Sequence, residues 1–230
     1  MSVVINGSTG ITSPGGDVSS ADNTVHGVTV GLGANSISRN TALGISALAS
    51  GSLSGNYNTA LGWNSLLVNT SGDLNVSIGD SAMLANTTGA SNTAVGQAAL
   101  GTNTTGSENV AIGRAALVQN TTGSYNTALG RWSLYSNTTA SNNTAVGYQA
   151  AYSNVTGTEL AALGYKTLYA NTGSYNTAVG NLALASNTTG EQNTAVGRIA
   201  LASTTTGGSN SAFGSNCLYL NTTGTNNSAF

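Results

Sequence analysis

The chain has 230 residues, of which only 5% are charged, with a formal net charge of −2 and a single cysteine, Cys217. Five cations supply no basic stripe to neutralise phosphates, which excludes a nucleic-acid binder, and one cysteine excludes an internal disulfide. Apolar residues make up 39%, enough for a core, and no stretch approaches the length of a membrane span, so no membrane insertion is expected.

In chain order, residues 1–39 carry no period and are expected to form an N-terminal cap and attachment segment. Their opening, Met-Ser-Val-Val-Ile-Asn-Gly, has neither the basic n-region nor the apolar run of a signal peptide, so the chain as written is not expected to be Sec-exported. From Asn40 to Phe230 the sequence repeats a 17-residue unit, Asn-Thr-Ala-Val-Gly-x-x-Ala-Leu-x-x-Asn-Thr-Thr-Gly-x-x. The anchor glycines run from Gly44 and Gly62 through Gly79, Gly96, Gly113, Gly130, Gly147, Gly164, Gly180 and Gly197 to Gly214. A twelfth copy begins at Asn227 and breaks off at Phe230, so the shaft is expected to continue beyond it. A short fixed period means that no unit buries its own apolar face; each must stack on its neighbours.

Counting from the anchor glycine, positions −3 to −1 predict a short strand with alternating faces. Position −2 is Ala in eleven of twelve copies, and position −1 is always Leu, Ile, Val or Phe. Both faces are therefore small or apolar: one fills the interior and the other needs a second surface. Position +3 is small and +4 is Leu in nine copies, which predicts a second short strand or arm supplying one core leucine per rung. The Asn-Thr-Thr-Gly that follows predicts a turn whose glycine takes a positive φ. One such turn, Asn171-Thr172-Gly173, is a residue short, a deletion that a corner can absorb. Helix is excluded by the recurrent Gly, Asn and Thr and by the lack of a 3.6-residue apolar stripe. The fold predicted is all-β: a parallel β-solenoid or β-roll of about eleven rungs, on the order of 50 Å long.

Position −4 is Asn in eleven copies, including Asn58, Asn75, Asn92, Asn109, Asn126, Asn143, Asn176 and Asn193, and is broken only by Leu160. Stacked amides bonding up and down the rod predict a structural ladder. The repeated Asn-Thr-Thr also matches a glycosylation acceptor, but turn chemistry accounts for it.

Catalysis lacks its inventory. The only histidine, His26, lies outside the repeats, so no nucleophile–base pair can form near Cys217, itself expected to be a small buried filler. The solenoid acids Asp73, Glu108, Glu159 and Glu191 fall at the corner before a strand, on rungs two or three apart and so about 10–15 Å from one another, too far for a glycosidase pair within one chain. No cofactor, metal ligand set or catalytic residue is expected. A binding surface has more to point to. Position +1 is bulky or polar and predicted to be exposed, making Trp63, Arg114, Arg131, Tyr148, Tyr165 and Arg198 candidate receptor contacts. Position +5 carries Tyr135, Tyr152 and Tyr169 on three consecutive rungs, predicted as a stabilising tyrosine stack.

The Asn-Thr-Ala-Val-Gly phrase and its spacing resemble repeats in the tail fibres of bacteriophages, and Ile5–Pro14 with the lead-in Val28–Arg39 is similar to the start of such fibres. The resemblance implies a homotrimeric, host-recognising fibre in the virion; residues 1–39 are then expected to join other tail proteins, and a host surface glycan is the expected contact of the aromatic and polar +1 residues. The repeat is also similar to head units of trimeric autotransporter adhesins, although those units are shorter and those proteins carry an export signal and anchor. Two further expectations come from the residues: an ice-binding array of the −3 threonines, interrupted at Val76, Val110 and Ala161, and a self-assembling extracellular filament.

Overall fold

The computed structural model describes residues 5–6, 10–11, 23–25, 28–37 and 39–230. Near the start, β1 (Ile5–Asn6) and β2 (Gly10–Ile11) form a two-stranded antiparallel pair. Strands β3 (Asn23–Val25) and β4 (Val28–Gly31) form a hairpin, and β4 lies antiparallel on β5 (Thr41–Gly44), bonding one edge of the first rung. His26 and most of the expected attachment segment lie outside the described residues.

The repeats then supply one three-residue strand each: β6 (Thr59–Leu61), β7 (Val76–Ile78), β8 (Thr93–Val95), β9 (Val110–Ile112), β10 (Thr127–Leu129) and β11 (Thr144–Val146). The run continues with β12 (Ala161–Leu163), β13 (Thr177–Val179), β14 (Thr194–Val196), β15 (Ser211–Phe213) and the two-residue β16 (Ser228–Ala229). Strands β5 to β16 are parallel and stacked in sequence order, so the chain is an all-β solenoid with one 17-residue repeat per turn. Register is strict: Ala128 faces Ala145, and across the short rung Ala162 still faces Ala178. The corner does absorb the deletion.

The alternation of the strand decides which apolar column is inside. The −2 residues Ala60, Ala94, Ala128 and Ala178 are fully buried, whereas Leu43, Leu61, Ile112, Leu163 and Phe213 at −1 are 39–42% exposed. The interior is completed by +3 and +4, buried from Ala47 and Leu48 to Ala200 and Leu201. Ser65 (+3) donates to the Ser77 (−2) hydroxyl at 2.7 Å, showing that these two columns meet across the core. Cys217 is half-buried and packs against that core.

Two sequence expectations are corrected. Positions +1 to +6 form a run of turns, not a second strand. Within it, non-glycine residues at +2 and +4 hold left-handed φ values of 50–63° and 45–53°, and the −5 residue repeats this at 55–75°. Each reversal aims an N–H along the rod axis. The Ala115 N–H donates back to Gln97 O at 2.8 Å, while Leu117 donates forward to Ser133 O at 2.9 Å. The layer is thus bonded to both neighbouring rungs, which offsets strain of about 1–2 kcal/mol per residue.

The second correction concerns glycine. Positive φ belongs to the anchor glycines, at 128–148°, and not to the glycines of the Asn-Thr-Thr-Gly turn. A Cβ on Gly130 would also stand 2.6 Å from Gly147 O on the next rung, so this column needs glycine for both conformation and space. The turn glycines serve close approach alone: a Cβ on Gly106 would fall 2.5 Å from Asn103 Oδ1. Ala140 takes that place in one copy. There the Thr138 N–H to Val155 O bond lengthens to 3.4 Å, against 2.8 Å for Thr121 to Thr138 one rung earlier.

Candidate functional site: an aromatic and basic face

Most rungs bury two amides. In the expected −4 ladder, the Asn75 backbone N–H and Nδ2 both donate to Asn58 Oδ1, at 3.0 and 3.1 Å, and Asn75 Nδ2 also donates to Gly89 O. Asn92, Asn109 and Asn126 repeat this, Asn143 donates its N–H to Asn126, and Asn193 bonds Asn176. A second ladder, which the sequence reading had assigned to turn chemistry, runs through position +7. Asn86, Asn103, Asn120 and Asn137 each donate to the Asn one rung before, at 2.7–2.9 Å. Its sequence signal was nearly as strong as that of the first, since Asn fills nine of the eleven +7 positions with the same period.

The ladders break where the sequence breaks. Leu160 still sends its N–H to Asn143 Oδ1 but offers no amide, and Asn176 on the next rung instead donates across to Asn171 of the second ladder at 3.1 Å. Asn171 sits on the shortened corner and gives its Nδ2 to Gly173 O, so Asn154 Oδ1 is left without a donor. Thr204 replaces Asn in the second column, and Asn187 Oδ1 is the other such buried acceptor among the described residues.

Outside this frame, all six candidate contacts at +1 are exposed: Trp63, Arg114, Arg131, Tyr148, Tyr165 and Arg198. The structure does not bring them into one cluster. Arg114 Nε donates to Gln97 Oε1 at 3.0 Å, and Gln97 in turn reaches Asp80 at 3.4 Å, a polar chain along the column. Trp63 lies further back, four rungs before Arg131. Three of the six do form one surface. Tyr148 and Tyr165 stack at 5.6 Å, Trp132 meets Tyr148 at 5.7 Å, and the Arg131 guanidinium lies 3.7 Å over the Trp132 ring.

Alongside, the +5 phenols stack as expected, Tyr135 on Tyr152 at 5.0 Å and Tyr152 on Tyr169 at 5.3 Å. Lys166 joins the two columns, its ammonium 5.5 Å from the Tyr165 ring and 5.3 Å from the Tyr169 ring. Burial first, then the neighbouring phenols Tyr135 and Tyr169, push the Tyr152 phenol above its ordinary value. Trp132 and Lys166, both at +2, were missed as site residues. The available signal was density: residues 132–169 hold six of the thirteen aromatic side chains. Such faces pack against the C–H faces of sugars and hold cations, while the basic groups donate to hydroxyls and carboxylates. Among the described residues no group of three His, Cys, Asp or Glu could hold a metal ion.

This fold and surface define a β-solenoid repeat protein bearing an aromatic and basic face. Comparison with protein-family models, with curated proteins and with solved structures finds no match to the chain.

Proposed function

We propose that the chain is a structural protein, the shaft of a bacteriophage tail fibre, in which three copies pack side by side along one axis and support recognition of a host surface glycan. The observation that carries this reading is the −1 stripe. One large apolar side chain per rung runs the length of the rod beside the outward −3 column; Leu43, Leu61, Ile112, Leu163 and Phe213 are about two-fifths exposed, and Ile78, Val95, Leu129, Val146, Val179 and Val196 are half-buried. A contiguous apolar strip on this scale calls for a covering surface. Packing three strips around a common axis covers all of them at once and is closed by symmetry. In this reading residues 1–39 join other virion tail proteins, and the side-chain chemistry is mechanical, not catalytic. A trimeric bacterial surface adhesin would use the same packing. No helix among the described residues is long and apolar enough to cross a membrane.

The test is the native mass of the purified protein by light scattering coupled to size exclusion. Three times the 22.7 kDa chain supports the shaft, and a monodisperse monomer overturns it. A second reading, ice binding, draws on the same face, because Thr127 and Thr144 stack in register on the parallel sheet and point outward. Thermal hysteresis in solution would favour it over the fibre.

A further inference from the structure

We propose that a slot in the +5 column, between Tyr169 and Tyr219, is a binding site for a short segment of acidic glycan. It deepens the glycan-contact part of the proposed function and rests on that part alone.

The slot arises because two columns depart from their pattern on the same two rungs. The tyrosine stack supplies one ring per rung through Tyr135, Tyr152 and Tyr169, then Ala185 and Ala202 follow, and Tyr219 resumes it. Two rings are missing between Tyr169 and Tyr219. On the same rungs the +2 column changes to Leu182 and Ile199, its only large aliphatic residues. The result is a groove of about 270 Å³ with Ala185 and Ala202 as its floor, Leu182 and Ile199 as a wall and Tyr219 at one end. The Ser186 and Ser203 hydroxyls also line it. A small +5 residue alone does not make such a slot. At Gly101, a single small residue, the neighbouring Val118 methyl lies 3.5 Å from where a Cβ would be.

The chemistry of the lining selects the occupant. A floor of methyls with an aliphatic wall matches the C–H face of pyranose rings, and serine hydroxyls suit their rim. An aromatic end wall fits the same ligand. Charge then favours an acidic sugar. Lys166 precedes Leu182 in the +2 column, and the exposed Arg198 precedes Ile199 in the chain. The acids of this stretch, Glu159 and Glu191, stand instead at the corner before the strand, in the −5 and −6 columns. The Lys166 ammonium lies 5.3 Å from the ring of Tyr169, the last ring before the slot, and a cation at that end is complementary to a carboxylate-bearing glycan. The slot belongs to the turn layer, whereas the −1 stripe belongs to the strand layer, so packing along that stripe and filling the slot use different columns.

The experiment is calorimetric titration of the full chain with three acidic oligosaccharides (oligogalacturonate, oligomannuronate and oligosialate) and with neutral maltohexaose. Binding of at least one acidic probe is expected, weakening as salt rises. The double variant A185Y/A202Y continues the tyrosine stack and fills the slot, and it should weaken binding at least tenfold with an unchanged circular dichroism spectrum. The exposed substitution R198Q, which leaves the slot open, should weaken it several-fold. Three results each overturn the proposal: no acidic probe binds, the filled variant binds as the parent does, or maltohexaose binds as tightly as the acidic probes. Light scattering on the same samples reports the assembly separately. A trimer that ignores every acidic probe would remove the slot and leave the shaft standing.

Discussion

A buried asparagine amide presents two donors and an acceptor with two lone pairs, so it stabilises the rod only when its neighbours complete it. Asn103 is complete: it donates to Asn86 and to Gly106 O, and it accepts from Asn120. Replacing Asn103 by Ala strands these groups in the interior and should cost about 2–4 kcal/mol, read by denaturant unfolding. The reverse change is available at Thr204. Thr204→Asn offers an Nδ2 to the partnerless Asn187 Oδ1, adding about 1 kcal/mol. For a chain of this size that should raise the melting temperature by about 2–4 °C, and a lower melting temperature would contradict the ladder account. The −4 ladder was legible because one residue type recurs at one position with a single exception. The +7 ladder shows nearly the same recurrence, broken at Gly51 and Thr204, but is flanked by Thr-Thr-Gly, which has a sufficient explanation in turn chemistry. Only stacking shows that the amide points inward.

The strand element was legible down to its three residues, since a period of two leaves no freedom in which side chains share a face. The turn layer was not. An adjacent Ala-Leu pair at +3 and +4 looks like strand, and the left-handed φ of Leu117 or Leu134 has no propensity signature, because aliphatic residues avoid that region unless tertiary bonding holds them there. The anchor glycine is the point at which strand passes into turn. Gly130→Ala must carry a Cβ at φ 128° against Gly147 O, so a loss of about 3 kcal/mol or more is expected. The same change at exposed Gly51, which has open space around it, should be nearly silent in the same melting assay. The tyrosine stack makes a pH prediction. Folding raises the Tyr152 pKa, so its contribution is fully present below the ordinary phenol range near pH 10 and is lost as pH climbs through the folded value. The alkaline fall in stability should be shallower in Tyr152→Phe.

At the scale of the molecule the two apolar faces were legible, but which one lay inside was settled only by the positions of Ala145 and Val146. The pair gives a sharp contrast. Ala145→Glu buries a charge in the core and should unfold the chain, whereas Val146→Glu places one on the outer stripe. The second variant should keep its β spectrum and, if the proposed three-chain packing holds, fall to the mass of one chain; a trimer that survives it would point to packing along another face. The aromatic face was only partly legible, because a site spread over columns +1, +2 and +5 is contiguous in space and scattered in sequence. The in-register stacking has a mechanical consequence as well. Since each strand bonds only the strand before and the strand after it, a pull on the two ends is resisted by one terminal coil at a time. The rod should pay out chain like thread from a spool, in equal increments of about 50–55 Å for each 17-residue coil. In an optical trap that gives an evenly spaced sawtooth, with the weakest teeth at the coils of Ala140 and Leu160, where the hydrogen-bonded ladders are stretched or cut.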